Sequence, residues 1–174
     1  MTRNLHKMVF RLRRDQRGAI GVGLLMIIPV LATILVMSYD RRELINTARW
    51  QQEALNRATK AAAWQITSHS YAIGAPQVDP VEAENKFREM LAENLRLDSL
   101  SLASRNYRIR GTPTYQLLVF NGPFPQFYAN VEYGVNATIN EPTVIALSKV
   151  DFNSIGAPLR QIKRWSLAKV VPAP

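Results

Sequence analysis

The rhythm of apolar positions changes twice along the chain, and each change marks a different kind of element. From Ala19 to Met37, nineteen consecutive uncharged, mostly apolar residues run without interruption. At about 1.5 Å per residue, a helix over this run is about as long as the ~30 Å hydrocarbon core of a bilayer is thick. Charge marks both edges, with Arg11, Arg13, Arg14 and Arg17 before it and Asp40, Arg41, Arg42 and Glu43 after it. The pattern predicts a basic leader over 1–18, a transmembrane helix over 19–39 and an extracytoplasmic head over 40–174. The run ends Ser38-Tyr39-Asp40 and offers no small-residue site for conventional signal removal. Pro29 lies mid-span, where it removes one backbone hydrogen bond and bends the helix.

Beyond the run the period becomes helical and amphipathic. Between Arg41 and Ser68, Leu44, Ala48, Leu55, Ala58, Ala62 and Ile66 recur at spacings of three, four and seven. This stripe predicts a helix packed on the protein's own sheet, with small alanines allowing close approach. Glu53 and Arg57, four apart, are placed to pair on its exposed face. Ala72-Ile73-Gly74-Ala75-Pro76 ends that helix. A second, shorter one opens on Asp79 as N-cap, Pro80 at the first helical position and Glu82 closing a capping box. Its apolar face is Val81, Phe87, Met90, Leu91 and Leu95. Glu82, Glu84, Glu89 and Glu93 lie among Lys86, Arg88 and Arg96 at solvated spacings, so an exposed helix face accounts for them better than acid–base chemistry does.

After residue 100 the alternation turns strand-like. Strands are expected over Tyr107–Arg110, Tyr115–Phe120, Tyr128–Ile139, Thr143–Val150 and Arg164–Val171, with Asn121-Gly122 and Pro123-Phe124-Pro125 as turns. The aromatics Phe120, Phe124, Phe127, Tyr128 and Tyr133 are expected in the core of the sheet or in its covering loop. The expected fold class is α+β: a long N-terminal transmembrane-plus-amphipathic helix, a second short helix and a small antiparallel sheet.

Composition narrows the function more by what it lacks. The formal net charge of +9 looks like a nucleic-acid signal until it is located. Residues 1–18 hold six Lys and Arg against one Asp, while the other 156 residues hold 16 against 12 acids. The excess therefore flanks the apolar run, where Lys and Arg are retained on the cytoplasmic side, and no nucleic-acid partner is expected. There is no cysteine, which excludes thiol catalysis, disulfides and thiolate metal sites. Two histidines, His6 and His69, make no metal or catalytic cluster. Asn136-Ala137-Thr138 matches a glycosylation sequon, without meaning in a bacterial chain. No catalytic residue, no cofactor and no metal is expected, and the chain reads as a non-enzyme.

The junction Arg13-Arg14-Asp15-Gln16-Arg17-Gly18-Ala19-Ile20-Gly21-Val22 carries a resemblance. A basic leader ending in Gly, then a small residue opening an apolar helix, resembles the site cut by prepilin peptidases. Gly21 and Gly23 are weaker alternatives inside the apolar run. Together with Tyr39-Asp40-Arg41-Arg42-Glu43-Leu44 and the Leu55-x-x-Ala58-x-x-Ala61-Ala62 helix, the chain resembles the TadE and TadG type of Tad (Flp) pilus-assembly pseudopilins over residues 11–66. The resemblance implies cleavage between Gly18 and Ala19. It also implies a single-pass protein of the bacterial inner membrane, N-terminus cytoplasmic, whose partners are the lipid bilayer, a prepilin peptidase and other pilus-assembly subunits. The family's usual Glu at the fifth mature position is Gly23 here. That loss argues against a bulk filament subunit, leaves open a minor, tip or membrane-resident assembly component, and strengthens the signal-anchor alternative. The alternative function is an uncleaved, signal-anchored envelope or binding protein.

Overall fold

The computed structural model describes the backbone over residues 2–72, 74–105, 107–153 and 160–170, and side chains from Leu25 onward within these ranges. The chain divides into two compact units, Met1–Arg42 and Glu43–Pro174.

The first unit consists of the upstream part of helix α1 (Thr2–Ala63). Every residue from Leu25 to Tyr39 is exposed. Pro29 leaves the Leu25 carbonyl without its helical donor, and the Thr33 hydroxyl donates to the Pro29 carbonyl at 2.8 Å. The expected transmembrane helix requires correction. Among the described residues no helix is long and apolar enough to cross a membrane. The first six residues of the expected span, 19–24, belong to a stretch whose side chains lie outside the described residues.

The second unit is α+β with antiparallel sheets, as the alternation predicted. From Glu43 to Ala63, α1 supplies a buried stripe of Thr47, Gln51, Ala54, Leu55, Ala58, Thr59 and Ala62. Leu44, Ala48 and Ile66 of the expected stripe are half-buried. A five-residue helix α2 (Ser68–Ala72) follows. Helix α3 (Pro80–Leu95) begins at the expected N-cap, with the Asp79 carboxylate accepting from the backbone N–H groups of Val81 and Glu82; the Asp79 N–H donates to the Gln65 carbonyl at 2.7 Å, so Glu82 does not close the expected capping box. It ends on Arg96 in the left-handed region at φ 54°, and the buried Leu97 closes the turn by donating to the Ala92 carbonyl. Phe87, Leu91 and Leu95 are buried as the periodicity required, but Val81 is 67% exposed. The expected Glu53–Arg57 pair is replaced by a bond from Arg57 to Asn94 of α3.

Strands β1 (Ile109–Phe120), β4 (Thr143–Phe152) and β5 (Arg160–Lys169) form one antiparallel sheet in the order β1-β4-β5. Strands β2 (Gln126–Asn130) and β3 (Val135–Ile139) form a separate hairpin. Even-numbered β4 residues Val144, Ala146, Val150 and Phe152 join the core cluster of α1 and α3, while Ile145 and Leu147 join Val135 and Ile139 of the hairpin. The central strand is thus covered on both faces, which is why its apolar residues run almost continuously instead of alternating.

Two strand expectations change. Tyr107–Arg110 and Tyr115–Phe120 merge into the single strand β1, whose register shifts between Arg110 and Thr114, around Gly111 at φ +71°. The alternation over Tyr128–Ile139 is not one strand but a hairpin, because Gly134 takes φ +66° and reverses the chain. Val131, in that turn, is 96% exposed, and Phe127 points outward at 68%. Phe120, Phe124, Tyr128 and Tyr133 do line the hairpin core.

Candidate functional site

The processing residues expected from sequence, Gly18 and Ala19, lie in the backbone of α1, within the stretch whose side chains are outside the described residues. Among the described residues no group of three or more His, Asp or Glu is placed to hold a metal ion. The acids of α3 are separated by their partners: Glu89 pairs with Lys86 at 2.8 Å, and the Tyr115 hydroxyl donates to Glu84 at 2.6 Å.

That tyrosine contact is structural. Tyr115 packs its ring 5.2 Å from Phe87. Burial, and then the adjacent Glu84 carboxylate, push the phenol from 10.0 up to about 12. A folded value raised above the unfolded one stabilises the fold fully below the unfolded value, and that stabilisation is lost as pH rises through the folded value. Tyr115→Phe is therefore expected to lower stability at neutral pH, with the gap to wild type closing between about pH 10 and pH 12. Urea denaturation across that range checks it, and a gap independent of pH would refute it.

Gln51 ties α1 to the sheet. It is fully buried, and its amide donates to Ser148 Oγ and to the Ile162 carbonyl, both at 3.4 Å. Its Oε1 is buried without a protein partner. One residue on, Gln52 donates to the Trp165 carbonyl of the edge strand β5 at 2.9 Å. Asn121 clamps Val78 in the same manner, accepting from its N–H at 2.9 Å and donating to its carbonyl at 2.8 Å. The residue expected only as a turn signal thereby fixes the segment leading into α3.

Two clefts lie at opposite ends of the α1–α3 layer of the head. One, of about 410 Å³, is lined by Trp50, Arg96, Tyr107 and Arg108. The Arg108 guanidinium lies 5.5 Å from the Tyr107 ring centroid and pairs with Glu43 at 3.3 Å. Beside it, Asp98 accepts from the backbone N–H groups of Ser101 and Leu100 and pairs with Arg105. The Ser101 N–H first, then Arg105, hold this carboxyl well below the usual carboxylate range. The other cleft, of about 380 Å³, lies among Trp64, Thr67, Asp79 and Glu82, with Trp64 77% exposed.

Sequence reasoning missed the first cleft. Its signal was four arginines within residues 96–110, a density that the whole-chain charge conceals. The second was hidden because Trp64 reads as an interior residue of an amphipathic helix over Arg41–Ser68, whereas the helix ends at Ala63. Both bring aromatic and charged groups to the surface, as docking surfaces do.

No family model, no curated protein and no solved structure matches this chain.

Proposed function

We propose that this protein is a non-enzymatic, pseudopilin-like subunit of a Tad-type pilus or secretion assembly at the bacterial cell envelope, processed by a prepilin peptidase between Gly18 and Ala19. The observation that carries this reading is helix α1. It runs unbroken from Thr2 to Ala63. Its residues Leu25–Met37 are apolar on every side and exposed, while its last turns form the centre of the head's core. A helix that is apolar all round is stable only when something covers it. In this reading the cover is supplied by the helices of neighbouring subunits. The head then presents its surface to other assembly components. The basic leader supports the same reading, since it precedes a Gly–Ala junction at the start of the apolar helix.

Processing supplies the test. Co-expression with a prepilin peptidase is expected to yield a mature chain beginning at Ala19. Gly18→Val is expected to abolish the cut, because a β-branched side chain restricts the backbone and obstructs close approach to the enzyme. Gly23→Glu is expected to leave the cut intact. Intact-mass measurement reads all three. A wild-type chain that keeps its leader beside active peptidase would overturn the proposal and leave an uncleaved envelope protein. A cut at Gly21 or Gly23 would keep the class and move the site.

A further inference from the structure

We infer that the head docks head to tail on a second copy of this chain, with Trp64 and Glu82 of one copy seated in the Trp50–Arg96–Tyr107–Arg108 cleft of the next. The inference rests on the pseudopilin reading for its setting, but its argument is the chemistry of the two ends.

Along α1, Trp50 and Trp64 are fourteen residues apart, about 21 Å at 1.5 Å per residue. Helix α3 places Asp79 and Glu82 near Trp64 and Arg96 near Trp50. The two clefts therefore cap opposite ends of one helical layer. Residues 76–85 carry Asp79, Glu82 and Glu84 and no base, while residues 96–110 carry four arginines and one aspartate. Lys60, one turn before Trp64, Lys86, one turn after Glu82 and paired with Glu89, and Glu43, paired with Arg108, soften this contrast without reversing it. The acidic end also shows exposed apolar surface, with Trp64 at 77% and Val81 at 67%; the basic end offers Tyr107 at 79%. An indole is the best ring for an arginine face, and carboxylates around it would meet the guanidinium groups of Arg96 and Arg108. Like ends would set carboxylates against carboxylates, so a symmetric pairing is disfavoured. A contact between two different patches is heterologous, so each docked copy leaves one free patch of each kind for a further copy.

The contact is small. A tryptophan buries about 200 Å², and a stable pair of free proteins needs roughly 1,000 Å² or more. Docking therefore acts where the N-terminal segments already hold copies at high effective concentration.

The chain has no cysteine, so engineered thiols report cleanly. Asn46, one turn from Trp50, and Asn85, one turn from Glu82, are exposed. In cells expressing the full chain as Asn46→Cys/Asn85→Cys and oxidised with copper phenanthroline, a ladder of multimers is expected. Each single variant should stop at dimers or stay monomeric. Added to the double-cysteine chain, Glu82→Arg or Arg96→Glu alone should cut the ladder at least tenfold, and the two together should restore it. Unchanged thermal melting of the variants excludes misfolding as the cause. Absence of a ladder overturns the inference, as does a ladder indifferent to the charge changes or a product linking only like positions. An uncut leader with an intact ladder would sink the pseudopilin reading and keep the docking. A cut leader without a ladder would do the reverse.

Discussion

Leu55→Asp is expected to unfold the head. Leu55 is fully buried in the cluster that α1 forms with α3 and the sheet, flanked by Ala54, Ala58 and Ala62. The aspartate would have no cation there, because its neighbours are apolar, and the alanines leave no space for water to follow it. Burying an unpaired carboxylate costs several kcal/mol at least, even after its protonation is allowed for. Loss of the leucine's own burial adds about 2 kcal/mol or more. A domain of this size has about 5–15 kcal/mol in total. Limited proteolysis should therefore cut residues 43–174 freely, and the cooperative thermal transition should disappear. Wild-type protease resistance in this variant would mean that α1 is not the spine of the core.

Phe87→Ala is expected to lower stability by about 3–5 kcal/mol without changing the fold. Phe87 is the largest fully buried side chain of α3, and its ring meets Tyr115 of β1 at 5.2 Å. It joins α3 to the sheet edge, so its removal leaves a cavity that neither element can close by a local shift. The urea midpoint should fall with the slope of the transition unchanged. A loss below about 1 kcal/mol would show that the site collapses around the missing ring. Loss of the far-ultraviolet helical signal would show that α3 depends on this one contact.

Both expectations begin from periodicity, and there the sequence was informative. The spacing of Leu55, Ala58 and Ala62 named the buried face of α1. Asp79-Pro80-x-Glu82 named the start of α3, because capping depends on groups within one turn of each other. The α+β class followed from the change of period after residue 100. Local rules of this kind are written in adjacent residues, and a sequence carries them directly.

What depended on distant residues was decided only by the tertiary structure. Alternation over Tyr128–Ile139 is compatible with one strand or with two, and the left-handed Gly134 turn decided for the hairpin. The apolar continuity of Thr143–Phe152 does not say what covers each face; packing placed helices on one side and a hairpin on the other. The turn residue Asn121 became a clamp on Val78, forty-three positions away. Glu84 drew Tyr115 because β1 crosses beneath α3. The transmembrane expectation rested on an uninterrupted apolar count, and among the described residues no helix is long and apolar enough to cross a membrane. The two clefts, finally, join residues from α1, α3 and the loops beyond them. Their charges are clustered along the chain, acids at 79–84 and arginines at 96–110, but only the antiparallel packing of α1 and α3 sets Trp64 beside the first and Trp50 beside the second.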